Sequence, residues 1–123
     1  MIKIWVDDER PMPEGYQGQA KSVCECMEIL GEERNNDTLP QYGGQGDNIL
    51  LDLDHDAGIY RNCGGDFINI LNWLASPEGQ DYWGWNGQQD EQHICVRFHS
   101  ANPVGVKNMR AIVESCPWIE EVK

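Results

Sequence analysis

Three short apolar runs, each ending abruptly in a polar cluster, constrain this chain more than any other feature. Residues 2–6 (Ile-Lys-Ile-Trp-Val) run into Asp7-Asp8-Glu9-Arg10 and then Pro11-Met12-Pro13. Residues 48–54 begin apolar on both faces and turn acidic at Asp52, Asp54, His55 and Asp56. Residues 93–98 (His-Ile-Cys-Val-Arg-Phe) end at His99-Ser100-Ala101-Asn102-Pro103. A run that is apolar on both faces suits a central parallel strand, which is covered on both sides. Acids and prolines directly after such a run stop the strand.

Helical patterns alternate with these strands. Ser22 and Glu25 have the spacing of a capping box, and Val23, Met27 and Leu30 follow at helical intervals, with Gly31 as the expected stop. Gly64-Gly65-Asp66 precedes a stripe of Phe67, Ile70, Leu71 and Leu74 that Pro77 closes. Met109, Ile112, Val113 and Cys116 mark a final helix closed by Pro117. A weaker strand is expected near residues 16–20 and an edge strand within 118–122. Residues 34–47 and 76–92 read as polar loops, the second carrying Trp83 and Trp85.

Strands alternating with helices predict a receiver-like (flavodoxin-like) three-layer α/β fold. Its central sheet should be mostly parallel, with about five strands and helices on both faces. The 123 residues suit one domain, 1–123. In such sheets ligands bind beyond the carboxyl ends of the strands, where the three polar clusters fall.

Charge and cysteine content narrow the function classes. A formal net charge of −12 argues against an extended nucleic-acid surface but leaves room for one nucleotide or RNA end at a local site. Cys24, Cys26, Cys63, Cys95 and Cys116 show no zinc-type C-x-x-C spacing and read as reduced core thiols. The first residues turn acidic too soon for a signal peptide, and no apolar run reaches membrane-spanning length, so a cytoplasmic protein without membrane contact is expected. Phosphate-loop, G-x-S-x-G and H-E-x-x-H patterns are absent from the sequence.

Each cluster has a chemical reading. Adjacent Asp7 and Asp8 at a strand end suit a hard divalent cation. If the second strand continued, alternation would put Asp52, Asp54 and Asp56 on one side and His55 on the other, and three such acids need a neutralising cation or arginine. His99 can exchange protons near neutral pH, and Ser100 can donate to a phosphate oxygen. Asn102 before Pro103 can bind phosphate or cap a helix. Arg97, on an apolar strand, calls for Asp52 or Asp54 as partner. Arg10 and Arg61 can clamp an anionic oxygen.

Taken together, Trp5-Val6-Asp7-Asp8-Glu9-Arg10-Pro11, Leu51-Asp52-Leu53-Asp54-His55-Asp56 and His99-Ser100-Ala101-Asn102-Pro103-Val104-Gly105 resemble the cyclic-phosphate-processing receiver-like domain family over nearly the whole chain. The resemblance implies that Asp7 and Asp8 are the paired metal-site acids and that Asp54 stands at the phospho-acceptor position. It puts Asp56 two residues beyond, and Ser100 where a hydroxyl contacts the phosphoryl group. The lysine of a receiver's last strand has no counterpart, the 11–15 loop replaces the first helix, and His55 and His99 are additions. These departures fit processing of cyclic phosphate on RNA ends or nucleotides.

The expected function is therefore a metal-assisted phosphoesterase. Mg²⁺ or Mn²⁺ would sit on Asp7, Asp8 and Asp54. His55 and His99 would serve as base and acid, with Asp56 and Ser100 beside them, and Arg10, Ser100 and Asn102 would bind phosphate. Two alternatives are a phosphorylatable signalling receiver and a non-catalytic nucleotide- or partner-binding protein using Trp83 and Trp85.

Overall fold

A computed structural model describes residues 2–35, 49–58, 62–79 and 94–122. Five strands form one sheet: β1 (Ile2–Val6), β2 (Gly18–Ala20), β3 (Ile49–Leu53), β4 (Ile94–Phe98) and β5 (Ile119–Glu121). Among the described residues the helices are α1 (Val23–Asn35), α2 (Ile68–Ala75) and α3 (Pro103–Glu114), and residues 77–79, expected in a loop, are helical as well. The strand order is β2-β1-β3-β4-β5, and every pair is parallel. This is the doubly wound order whose switch point lies between β1 and β3. The fold is thus the receiver-like α/β class that the sequence predicts.

Alternation along the strands sorts the side chains. Ile2, Ile4 and Val6 of β1, Ile49, Leu51 and Leu53 of β3, and Ile94 and Val96 of β4 join one buried cluster. The same cluster takes Val23, Cys26 and Leu30 from α1, Ile70, Leu71 and Leu74 from α2, and Met109 and Val113 from α3. The three described helices therefore share one face of the sheet, whereas helices on both faces were expected. Right-handed crossovers give this result, because β2→β3, β3→β4 and β4→β5 all step in one direction across the sheet. The β1→β2 connection steps the other way and carries no helix, as the proline-rich 11–15 segment predicts. Its Tyr16 packs edge-on against Trp5 of β1 on the opposite face.

Local signals mostly act as read. Ser22 Oγ accepts from the Glu25 amide at 3.0 Å, while the Glu25 carboxylate reaches back to the Lys21 amide at 2.6 Å. Helix α1 does not stop at Gly31 but runs to Asn35, so residues 34 and 35 are helical rather than loop. One glycine costs a helix only about 1 kcal/mol, and the strong helix formers Glu32, Glu33 and Arg34 follow it. Asn102 caps α3, its side chain accepting from the Gly105 amide at 2.9 Å, with Pro103 at the first helical position.

The cysteines divide. Cys26, Cys95 and Cys116 are buried, as core thiols should be, but Cys24 and Cys63 are exposed. Position 24 falls on the outer side of α1, and Cys63 lies in the irregular segment before α2, so neither is carried into the core. Among the described residues, no helix is long and apolar enough to cross a membrane. Arg61, Trp83, Trp85 and His93 lie outside the described residues.

Candidate functional site

Sheet register builds the site. Val6 pairs with Leu53, and Leu53 with Phe98, so three strands end level. The next residue of each chain segment is tied to its neighbour: the Asp54 amide donates to Val6 O at 2.9 Å and the His99 amide to Leu53 O at 3.0 Å. Asp7, Asp54 and His99 consequently stand side by side on the carboxyl rim.

Two groupings result. In the first, carboxylate oxygens of Asp7, Asp8 and Asp54 all lie within 4.8 Å of one another. Asp7 is buried and tightly held: Oδ1 accepts from the Glu9 and Arg10 amides at 2.8 and 2.9 Å. Burial pushes the Asp7 pKa up, but those two amides and His99 more than offset it, and the carboxyl lies below its ordinary value. Asp8 goes the other way. Burial raises its pKa first, and the charges of Glu9, Asp7 and Asp54 raise it further, against a lowering by its own amide. Hard oxygen donors, close together and mutually repelling, are a donor set that could hold a metal ion. Gly58 closes over this group with φ +58°, and a side chain there would collide with the Asp8 carboxylate.

The second grouping centres on His99. Its Nε2 lies 2.8 Å from Asp7 Oδ2 and its Nδ1 2.8 Å from Asp52 Oδ1. Asp52 also accepts from the Tyr16 hydroxyl and, at 3.5 Å, from Arg97 Nη1. Arg97 thus takes the first of its two expected partners. Burial works against a charged His99, but the Asp52 and Asp7 carboxylates overcome it and hold the pKa above its ordinary value. Burial also pushes Asp52 up, and hydrogen bonds from His99 and Tyr16 bring it below its ordinary value.

The alternation expected for Asp52, Asp54 and Asp56 does not persist, because β3 ends at Leu53. Asp52 stays on the sheet with His99 and Arg97, Asp54 joins Asp7 and Asp8, and Asp56 pairs with His55. The His55 Nδ1–Asp56 Oδ1 distance is 2.7 Å. Asp66 approaches this pair as well, with its ligand atom within 4.8 Å of theirs, and it accepts from the Ala57 amide at 3.1 Å. Gly105 lets the first turn of α3 pass the His55 ring, where a β-carbon would overlap it.

A cleft of about 390 Å³ opens over the rim, lined by Asp8, Glu9, Arg10, Asp54, Asp56, Gly58 and residues 100–102. Ser100 Oγ accepts from the Asn102 amide at 3.0 Å, which brings the hydroxyl to the start of α3. Arg10 Nη1 leans on Asp7 Oδ2 and the His99 carbonyl at 3.4 and 3.3 Å. The sequence reading passed over Tyr16, Asp66, Gly58 and Gly105. Tyr16 and Gly58 lie in irregular segments and Gly105 in the first turn of α3, none carries a periodic signal, and their roles depend on contacts between distant parts of the chain.

The sheet order and this acidic rim define a receiver-like α/β domain. The family model for the cyclic-phosphate processing receiver domain matches residues 2–115, and the chain belongs to that family. Searches of the curated proteins and of the solved structures find no match.

Proposed function

We propose that this domain opens cyclic phosphate esters on nucleotides or RNA ends with the help of Mg²⁺ or Mn²⁺. One observation carries the reading. The cleft is lined by four acids, Asp8, Glu9, Asp54 and Asp56, and by one arginine, Arg10, yet it also presents Ser100 and the start of α3, both suited to phosphate oxygens. An anionic ester enters such a cleft only when a cation neutralises the acids. Asp7, Asp8 and Asp54 would hold that cation. A bound Mg²⁺ or Mn²⁺ supplies charge neutralisation and Lewis acidity toward a phosphoryl oxygen.

The remaining roles belong to the chain. Arg10, Ser100 and Asn102 orient the phosphate. The Asp56 carboxylate holds the His55 ring, which takes a proton from the attacking water and returns one to the departing ribose oxygen. One P–O ester bond breaks, the water oxygen joins phosphorus, and a phosphomonoester with a free hydroxyl remains. Both nitrogens of His99 are engaged by carboxylates, so in this reading it holds Asp7 in place. The test is hydrolysis of 2′,3′-cyclic nucleotides across a panel of divalent ions. Turnover should require a divalent ion and vanish in Asp54→Asn; no turnover by the folded protein with any ion contradicts the reading.

A second reading rests on the same acids. Asp54 beside Asp7, Asp8 and Ser100 is the set a phosphorylatable receiver uses, although Ile119–Glu121 offers no lysine. A small phosphodonor would then add phosphoryl mass at Asp54, and an unchanged mass excludes it.

A further inference from the structure

Cys24 and Cys63 stand far apart in sequence and meet at the surface, where the first turn of α1 approaches the segment before α2. The Cys24 amide donates to the Cys63 carbonyl at 3.1 Å. Both residues are exposed and both thiols are free. The approach is a packed one. Gly64, at φ +100°, sits so close that a β-carbon there would lie 2.6 Å from Val23 Cβ and 3.6 Å from the Cys24 amide nitrogen. A direct backbone hydrogen bond between the two residues holds them as close neighbours, which a disulfide requires, since it spans only about 4.4–6.8 Å between α-carbons. The other three cysteines are buried and free.

We propose that Cys24 and Cys63 form a redox-responsive pair that closes into a disulfide and pins the segment before α2 to the first turn of α1. That segment supports the candidate site. The Phe67 amide donates to the His55 carbonyl at 2.9 Å, and Asp66 accepts from the Ala57 amide at 3.1 Å. Closure proceeds by exchange with a low-molecular-weight disulfide. One cysteine thiolate attacks a sulfur of that disulfide and expels a thiolate, leaving a mixed disulfide. The second cysteine thiolate then attacks the protein sulfur of the mixed disulfide and expels the other. The two protein sulfurs are oxidised, the external disulfide is reduced to two thiols, and the two protons pass to solvent or to the departing thiolates.

The experiment treats the folded full chain with glutathione disulfide, quenches with acid and maps peptides by mass. The expected product has lost two hydrogens and links the peptides carrying Cys24 and Cys63. Cys24→Ser and Cys63→Ser should instead each stop at a glutathione adduct on the remaining partner. The linked protein should also resist urea better than its reduced form, a gain absent from both variants. Separate glutathione adducts on Cys24 and Cys63 without a link, or a link that forms only in urea, would overturn the proposal. These readouts need no substrate turnover, so they stand or fall independently of the phosphoesterase reading.

Discussion

His99 lies flat on Trp5, with ring centroids 3.9 Å apart and planes 7° from parallel. The stack fixes the imidazole plane, and the fixed plane lets one ring span two carboxylates that have almost no solvent of their own. Asp7 is 0% exposed and Asp52 2%. A group that neutralises two buried acids is expensive to remove, because each acid is left to bury charge without its partner. His99→Gln should destabilise the fold by about 3 kcal/mol, as removal of one member of a buried ion pair does. Urea unfolding checks this, and a loss no larger than that of a surface substitution would show that water replaces the ring at no cost.

The same cluster sets a pH window. The His99 pKa is raised from 6.5, so its contribution to stability is complete below that value and is lost as pH rises through the higher folded value. Asp7 and Asp52 are lowered from 3.8, so theirs is present above that value and is lost as pH falls through the lower folded values. Stability should therefore peak between the two ordinary values and decline on both sides. In His99→Gln the alkaline decline attributed to the imidazole should disappear. Urea midpoints measured across the range give the comparison, and parallel profiles for the two proteins would place the titrating group elsewhere.

Asp8 has the opposite signature. Burial and three neighbouring acids raise its pKa, so its charge opposes folding when no cation is bound. Asp8→Asn should raise stability by about 0.5–1 kcal/mol in chelator. On the proposed function Mg²⁺ should raise the melting temperature by binding the folded state, and the same change should abolish that shift. Differential scanning calorimetry with and without Mg²⁺ reads both effects. A variant that is less stable in chelator yet keeps the Mg²⁺ shift would remove Asp8 from the cation site.

Gly105 ties the packing of α3 to the geometry of the site. Alanine is a better helix former, yet its β-carbon would overlap the His55 ring. Gly105→Ala should lower stability by about 1–2 kcal/mol while the protein stays folded, because the overlap with the root of the His55 ring outweighs the gain in helix propensity. Turnover of a 2′,3′-cyclic nucleotide should fall by about a hundredfold, the scale of an ångström-sized misplacement. Equal turnover in the two proteins would take His55 out of the reaction.

Much of the fold was legible because it rests on local pattern. Strands β1, β3 and β4 announce themselves as apolar runs with abrupt polar ends, and the stripes of α2 and α3 face the core as spaced. The carboxyl-end position of Asp7, Asp54, His99 and Ser100 follows from parallel register, which the sequence implies once the strands are known. The partnership of His99 with Asp52 was not legible, and the grouping of Asp54 with Asp7 and Asp8 was expected from the family resemblance, not from strand alternation. Both depend on the single residue at which β3 ends. A strand continuing past Leu53 would have kept Asp52, Asp54 and Asp56 on one side. The contact between Cys24 and Cys63 was hidden for a similar reason. It depends on how the segment before α2 returns to α1, and pattern within either segment says nothing about that.

The most direct test of the account is whether the rim acids hold one divalent ion. Mn²⁺ added in substoichiometric amount to the folded protein can be followed by the solution electron paramagnetic resonance signal of the free ion. The account predicts that the native chain depletes this signal and that Asp54→Asn restores it while remaining folded. An undiminished signal with the native chain, or equal depletion by the variant, would contradict it.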